Sequence, residues 1–318
     1  MKSVRSLRVA FLTVASLLVL LASACSREAP PEGGIAAKGP ALGNDQTAKK
    51  GDPAKNGGSA QKDFEDFDPQ KFDDRSTHVD NEWFPLKPGM RYVWEGTTVD
   101  DEGDKEARRV VFTVTDLTKE MGGVRTVVCW DQDYADGELV ETEIVFFAQD
   151  KDGTVWQLGE YPEEYEDGNF IKAPCWIHGI KESKAGIMMH AKPNLGTPSF
   201  SQGWAPSVGF TDRGVVYQTG QKVSVPFGSF DDVLVIDESN KQDPDAHHLK
   251  FYARGAGNVR VGWRGDEKAQ ESLSLIQLEK LTAEELAKAR EEALKLEKRA
   301  YEISKDVYAK TKPSERLP

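Results

Sequence analysis

Apolar and polar residues alternate over short stretches through most of this chain, and turn residues break them at regular intervals. Residues 91–99, RYVWEGTTV, mix β-branched and aromatic side chains, and Val110–Val114 keeps that character. Met121-Gly122-Gly123 then turns the chain into VRTVVCWDQDY. Ala135-Asp136-Gly137 is a hairpin signal before ELVETEIVFFAQD, and Asp152-Gly153 turns again into TVWQLGEY. After a looser stretch rich in Gly and Pro near residues 185–210, the texture returns in GVVYQTG, QKVSVPFG, FDDVLVIDES, HLKFYARGAG, VRVGWRG and ESLSLIQLEKL. Strands at this spacing, joined by short polar turns, predict a mainly β fold. The expected form is an antiparallel meander, as a sandwich or a partly closed barrel.

The period changes near the end. Residues 282–309 read TAEELAKAREEALKLEKRAYEISKDVYA. Leu286, Ala289, Ala293, Leu296, Ala300, Ile303 and Val307 recur every three or four positions, flanked by Ala287, Leu294, Tyr301 and Tyr308. Thr282 and Glu285 have capping-box spacing. The pattern predicts one long amphipathic helix. Three dispositions fit it: packing on its own sheet, a short coiled coil with another copy or a partner, or covering a cavity in a curved sheet. The small stripe alanines weaken a free-standing coil and favour docking on the body.

The first 24 residues have a different pattern. Lys2, Arg5 and Arg8 precede an apolar run from Val9 to Leu21, and Ala22, Ser23 and Ala24 lead to Cys25. This is the layout of a secretory signal peptide, and the run is short for a spanning helix. Leu21-Ala22-Ser23-Ala24-Cys25 resembles the bacterial lipobox, in which the cysteine thiol takes a diacylglyceryl group before cleavage. Ordinary signal peptidase would cut the same bond and leave a free thiol, and an uncleaved anchor is a third route. Cysteine parity favours lipidation of Cys25, because it leaves Cys129 and Cys175 as a pair. Two or more acyl chains hold a protein stably, at about 0.8 kcal/mol per buried methylene.

Residues 26–63 contain no Phe, Tyr or Trp and are rich in Gly, Ala, Pro, Lys and Asp. Such a segment cannot bury enough apolar surface to offset its ordering entropy. It reads as a linker that spans roughly 35 Å as a coil. Four regions result: a signal peptide (1–24), a lipid-anchored linker (25–63), a β-rich domain (64–280), and a C-terminal helix and tail (281–318).

Composition narrows the partners. The formal charge is −12 and mean hydropathy is −0.55. Removing residues 1–24 takes away Lys2, Arg5 and Arg8 and no acid, so the mature charge moves from −12 to −15. Phosphate backbones would be repelled, and no nucleic-acid partner is expected. Cys129, in a predicted strand, and Cys175, in the loop APCWIHG, are expected to join as a disulfide in an oxidising compartment. Such a bridge is worth about 4 kcal/mol in the chain-entropy account. The alternative is two buried free thiols.

Motifs for chemistry are scarce. No G-x-S-x-G, HExxH, P-loop or GxGxxG occurs, and no catalytic residue, metal site or cofactor is assigned. His78, His178 and His190 are scattered, and His247-His248 is read as a solvated loop. Asp131, Asp133 and Asp136 precede Gly137, but there is one residue too many for an EF-hand, and Thr142 stands where its Glu belongs. Asp-Gly is explained by hairpin geometry. Paired acids such as Glu163-Glu164 and Asp231-Asp232 are expected by chance in so acidic a chain, and most of the seven tryptophans are assigned to the core.

Several segments do carry a resemblance. They are Asn81-Glu82-Trp83-Phe84-Pro85-Leu86-Lys87-Pro88-Gly89, Tyr92-Val93-Trp94-Glu95-Gly96, DYADGELVE and VPFGSFDDVLV. With KFYARGAGNV they run through most of residues 80–265, and together they resemble a family of exported or lipid-anchored bacterial proteins of unknown function. The resemblance implies an extracytoplasmic location on the cell membrane or envelope. It brings no catalytic residue, cofactor or substrate. The leading expectation is a non-catalytic lipoprotein whose β domain binds or supports an envelope partner. A carrier of a lipid or other apolar ligand is the alternative, and a secreted hydrolase comes third.

Overall fold

A computed structural model of the chain describes residues 62–99, 103–265, 267 and 269–317. Cys25, the signal peptide and nearly all of the linker lie outside the described residues. In the first half, strands run β1 (Met90–Val99), β2 (Lys105–Met121), β3 (Val124–Ala135), β4 (Glu138–Gln149), β5 (Val155–Glu166), β6 (Asn169–Lys172), β7 (Trp176–Ile177) and β8 (Lys184–Met189). The second half holds β9 (Phe200–Ser201), β10 (Gly203–Trp204), β11 (Arg213–Val225), β12 (Gly228–Asn240), β13 (Asp243–Ala253), β14 (Gly257–Gly265) and β15 (Ser272–Lys280). Helix α1 (Ala283–Ile303) and a short β16 (Glu315–Arg316) finish the chain.

All sixteen strands belong to one antiparallel sheet, in the order β10-β8-β5-β4-β3-β2-β1-β15-β14-β13-β12-β11-β9. β6 and β7 pair with β5, and β16 pairs with β2. The sheet is not closed. Its two ends nevertheless lie next to each other in sequence, since β9 pairs with β11, β10 pairs with β8, and only Gln202 separates β9 from β10. The close approach explains Gly186, where a Cβ would stand 2.1 Å from the Gln202 carbonyl carbon. The stretch near residues 185–210, read from sequence as loose, therefore contains β8, β9 and β10 and joins the ends of the sheet. Its Gly and Pro residues shape short strands.

Turn chemistry sets the register. Gly122-Gly123, Asp136-Gly137 and Asp167-Gly168 all have positive φ at both positions, the type I′ geometry that suits twisted hairpins. In β5, Gly159 has φ +152, and a Cβ there would stand 2.6 Å from the Trp176 carbonyl oxygen. Here the β4–β5 register slips, so that Gln157 faces Phe147 while Glu160 faces Val145. The irregularity turns both Gln157 and Glu160 to the concave face of the sheet.

Helix α1 packs on the convex face, against β2 and β4. Its start has both bonds of the capping box: Thr282 Oγ1 accepts from Glu285 N–H, and Thr282 N–H donates to Glu285 Oε2 at 2.8 Å. Lys119, wholly buried in β2, donates to Glu297 at 2.7 Å and to Tyr301 Oη at 3.0 Å. Tyr308 and Ser314 donate to the same Glu297 carboxylate. Arg299 pairs with Glu163 of β5, and Arg290 and Arg316 both hold Asp116. Of the three dispositions, the helix takes the first. It ends at Ile303, not near residue 309. Ser304 Oγ accepts from Tyr308 N–H, and the chain turns so that the Tyr308 ring is buried against Phe146 and Tyr161.

The disulfide expectation is corrected here. Cys129 and Cys175 are both buried and free. Cys129 lies opposite Val145, Val145 opposite Glu160, and Glu160 opposite Trp176. Partners across a ladder share a face, so Cys175, next to Trp176, points to the other one. It meets Ser304 below the helix, whereas Cys129 faces Asp131 and Glu143. Redox reasoning alone carried no information about the sheet between them.

Candidate functional site

The motif Asn81–Leu86 builds the floor of a cavity inside the curved sheet. Asn81 Oδ1 accepts from Trp83 N–H at 2.9 Å and Phe84 N–H at 3.1 Å. Asn81 Nδ2 donates to the carbonyls of Gly153 and His190. Phe84 is thereby held between Phe147 of β4 and Tyr252 of β13, at ring-centroid distances of 5.4 and 6.2 Å. Tyr92 Oη donates to Pro85 O at 2.9 Å, and Trp94 Nε1 donates to Asn258 O at 3.0 Å.

Above this floor is a cavity of about 60 Å³. Tyr92 and Trp94, stacked at 5.7 Å, line one wall with Phe112, and Val145, Phe147, Met188 and Tyr252 continue it. The walls thus come from both halves of the sheet. Asp131, Glu143 and Lys250 supply the charged groups. The volume falls well short of the roughly 300 Å³ at which drug-sized ligand sites begin.

The charges follow from strand register. Asp131 lies opposite Glu143 and Asp133 opposite Glu141 across the β3–β4 ladder, and Glu164 of β5 lies opposite Glu141. With Glu160 they form one acidic surface on the concave face, and all six are buried. Like charges directly opposite are destabilising, so the arrangement opposes folding while the acids are ionised. Burial is the first cause raising the carboxyls of Asp131, Glu141 and Glu143 well above their ordinary range, and neighbouring acids add to it. Asp133 is pushed up to about 7 by burial, against the pull of Arg108. Arg108 approaches Asp133 at 3.8 Å and Glu271 at 3.9 Å. Gln157 Nε2 donates to Glu160 at 2.7 Å. Glu143 Oε2 and Gln157 Oε1 have no hydrogen-bond partner.

The residues singled out in the sequence fall elsewhere or divide. His247 and His248 lie in β13, not in a loop, and face different partners: His247 Nδ1 is 2.7 Å from Asp237, and His248 Nε2 is 2.9 Å from Glu267. Among the described residues, no group of three or more His, Cys, Asp or Glu could hold a metal ion. Asp136 stays in its hairpin turn, but Asp131 and Asp133 point inward. Glu163 faces the helix while Glu164 faces the interior. The sequence reading missed the acidic surface because unbroken alternation from the Asp136-Gly137 turn would pair Asp133 with Val140 and Asp131 with Thr142. The register shift between Asp133 and Tyr134 is what sets Asp131 and Asp133 opposite Glu143 and Glu141 on one face.

No described protein family and no curated protein matches the chain. Two solved structures align with it. One is a candidate exported protein with a YmcC-like fold from Bacteroides fragilis, at 14% identity and a TM-score of 0.38, over 63% of this chain and 100% of that one. The other is a candidate lipoprotein from Parabacteroides distasonis, at 13% identity and a TM-score of 0.34, over 63% of this chain and 99% of that one. Similarity at this level carries no functional inference.

Proposed function

We propose that this chain is an extracytoplasmic lipoprotein: a non-catalytic β domain held to the cell membrane through lipid on Cys25, which binds a ligand or supports an envelope partner. The observation that carries the reading is the succession of basic, apolar and small residues that ends at Leu21-Ala22-Ser23-Ala24-Cys25. The aromatic-free segment 26–63 supports it by supplying reach between membrane and body. The cavity favours binding over hydrolysis, since its lining is almost wholly apolar and includes no serine, cysteine or histidine. Its size favours a small group over the acyl chain of a lipid carrier.

The test is metabolic labelling of the full-length chain in a bacterial host with an alkyne-tagged fatty acid. Wild type is expected to take the label and to sediment with membranes. Cys25→Ser is expected to lose both properties. An unlabelled wild-type protein that fractionates like Cys25→Ser would overturn the reading.

A further inference from the structure

We propose that the interior cavity is a binding site for a small ligand that joins an apolar body to a cationic amine, with the ring faces of Tyr92, Trp94 and Phe112 around the body and Glu143 as the counter-charge. This deepens the proposed function and rests on its reading of the cavity as a binding site; it does not depend on the lipid anchor.

Three observations converge. First, Glu143 lines the cavity with only 2% of its surface exposed, and its Oε2 makes no hydrogen bond. A buried carboxylate oxygen without a donor is costly, and most native structures contain few of them. A ligand ammonium at this point would supply the missing donor. Second, acids outnumber bases in the lining, where Asp131 and Glu143 stand with the single cation Lys250, and the register adds Asp133, Glu141 and Glu160 on the same face. Third, aromatic faces stand within the same small space, and the negative face of a ring attracts an ammonium, most strongly at Trp. An anion would meet Asp131, Glu143 and the ring faces with Lys250 as the one cation in the lining, whereas an ammonium would hold Glu143, whose carboxyl burial keeps protonated above its ordinary range, in its ionised form. The volume of about 60 Å³ limits the buried part of the ligand to a short chain or a small head group.

Calorimetric titration of the mature protein with n-butylammonium, n-butanol and butyrate tests this. The expected result is butylammonium binding at least tenfold more tightly than butanol, with no binding of butyrate. In Glu143→Gln, which keeps the side-chain shape, the advantage of the amine should disappear while the unfolding temperature stays the same or rises. Wild-type NMR gives a readout that needs no substitution: the Met188 methyl resonance should shift on adding butylammonium. Equal binding of butanol and butylammonium would overturn the cation preference and leave the cavity as a site for neutral groups. Failure of all three probes to bind or to move Met188 would overturn both this inference and the cavity's part in the proposed function. Fatty-acid labelling at Cys25 is unaffected by either result.

Discussion

Asp131 stands directly opposite Glu143 across the β3–β4 ladder, with both side chains buried on the concave face of the sheet. Packing alone would favour two apolar residues at such a pair, as at Val127 and Phe147 further along the same ladder. Four neighbouring acids and the cavity turn this local conflict into the central feature of the domain. Real proteins place such conflicts at functional sites more often than elsewhere.

The first prediction concerns pH. The carboxyls of Asp131, Asp133, Glu141, Glu143, Glu164 and Asp212 are all raised in the folded protein, chiefly by burial. A raised acid stays protonated in the fold after the unfolded chain has released its proton, so stability falls as pH rises. For Asp133 the window runs from the unfolded value of about 3.9 to about 7. His178, lowered to about 4, and His190, also lowered, act in the opposite direction below about pH 6.5, but there are two of them against six acids. Thermal unfolding should therefore give a higher Tm near pH 5.5 than near pH 7.5. Asp133→Asn should flatten the difference. A Tm that climbs steadily from pH 5.5 to 7.5 would contradict this.

The second prediction concerns the helix. Lys119 and Glu297 form a buried pair that also takes hydrogen bonds from Tyr308 and Ser314. Removing one partner leaves the other charge uncompensated. Glu297→Ala should cost about 3–5 kcal/mol in denaturant unfolding. Lys119→Met combined with Glu297→Leu should recover most of that loss, because the polar requirement disappears from both sides. A single variant that unfolds like wild type would remove the pair's role in docking α1.

Thiol chemistry gives the third. Cys129 and Cys175 lie on opposite faces, and burial pushes both thiols up, Cys175 to about 12. The folded protein should keep both as thiols that a maleimide reaches only after unfolding. Intact mass before and after reduction should be identical. A gain of two hydrogens on reduction would show a bridge and contradict the sheet register.

Much of this architecture was legible in the chain. Asp136-Gly137 and Gly122-Gly123 gave the hairpins because I′ turns need residues that accept positive φ, and Thr282 with Glu285 gave the start of the helix. The helix end was not legible, since Tyr308 continues the apolar spacing but is buried from a separate turn after Ser304. Nor was the adjacency of the two sheet ends at Phe200–Trp204, where two-residue strands leave too short a pattern to read. The acidic surface was not legible either, since Asp131 and Asp133 share a face with Glu141 and Glu143 only through the register shift between Asp133 and Tyr134, which plain alternation does not predict, while Glu163 and Glu164, adjacent in sequence, take opposite faces.

The most direct measurement is the titration of Asp131 and Glu143 themselves, by carbon-13 NMR of their side-chain carboxyls in the folded protein. Both midpoints should lie above the ordinary carboxylate range in the free protein, and that of Glu143 should fall when n-butylammonium is added. Midpoints near 4 for both residues, unmoved by the amine, would show that water or another donor already satisfies these acids, and the cavity would lose its chemical rationale.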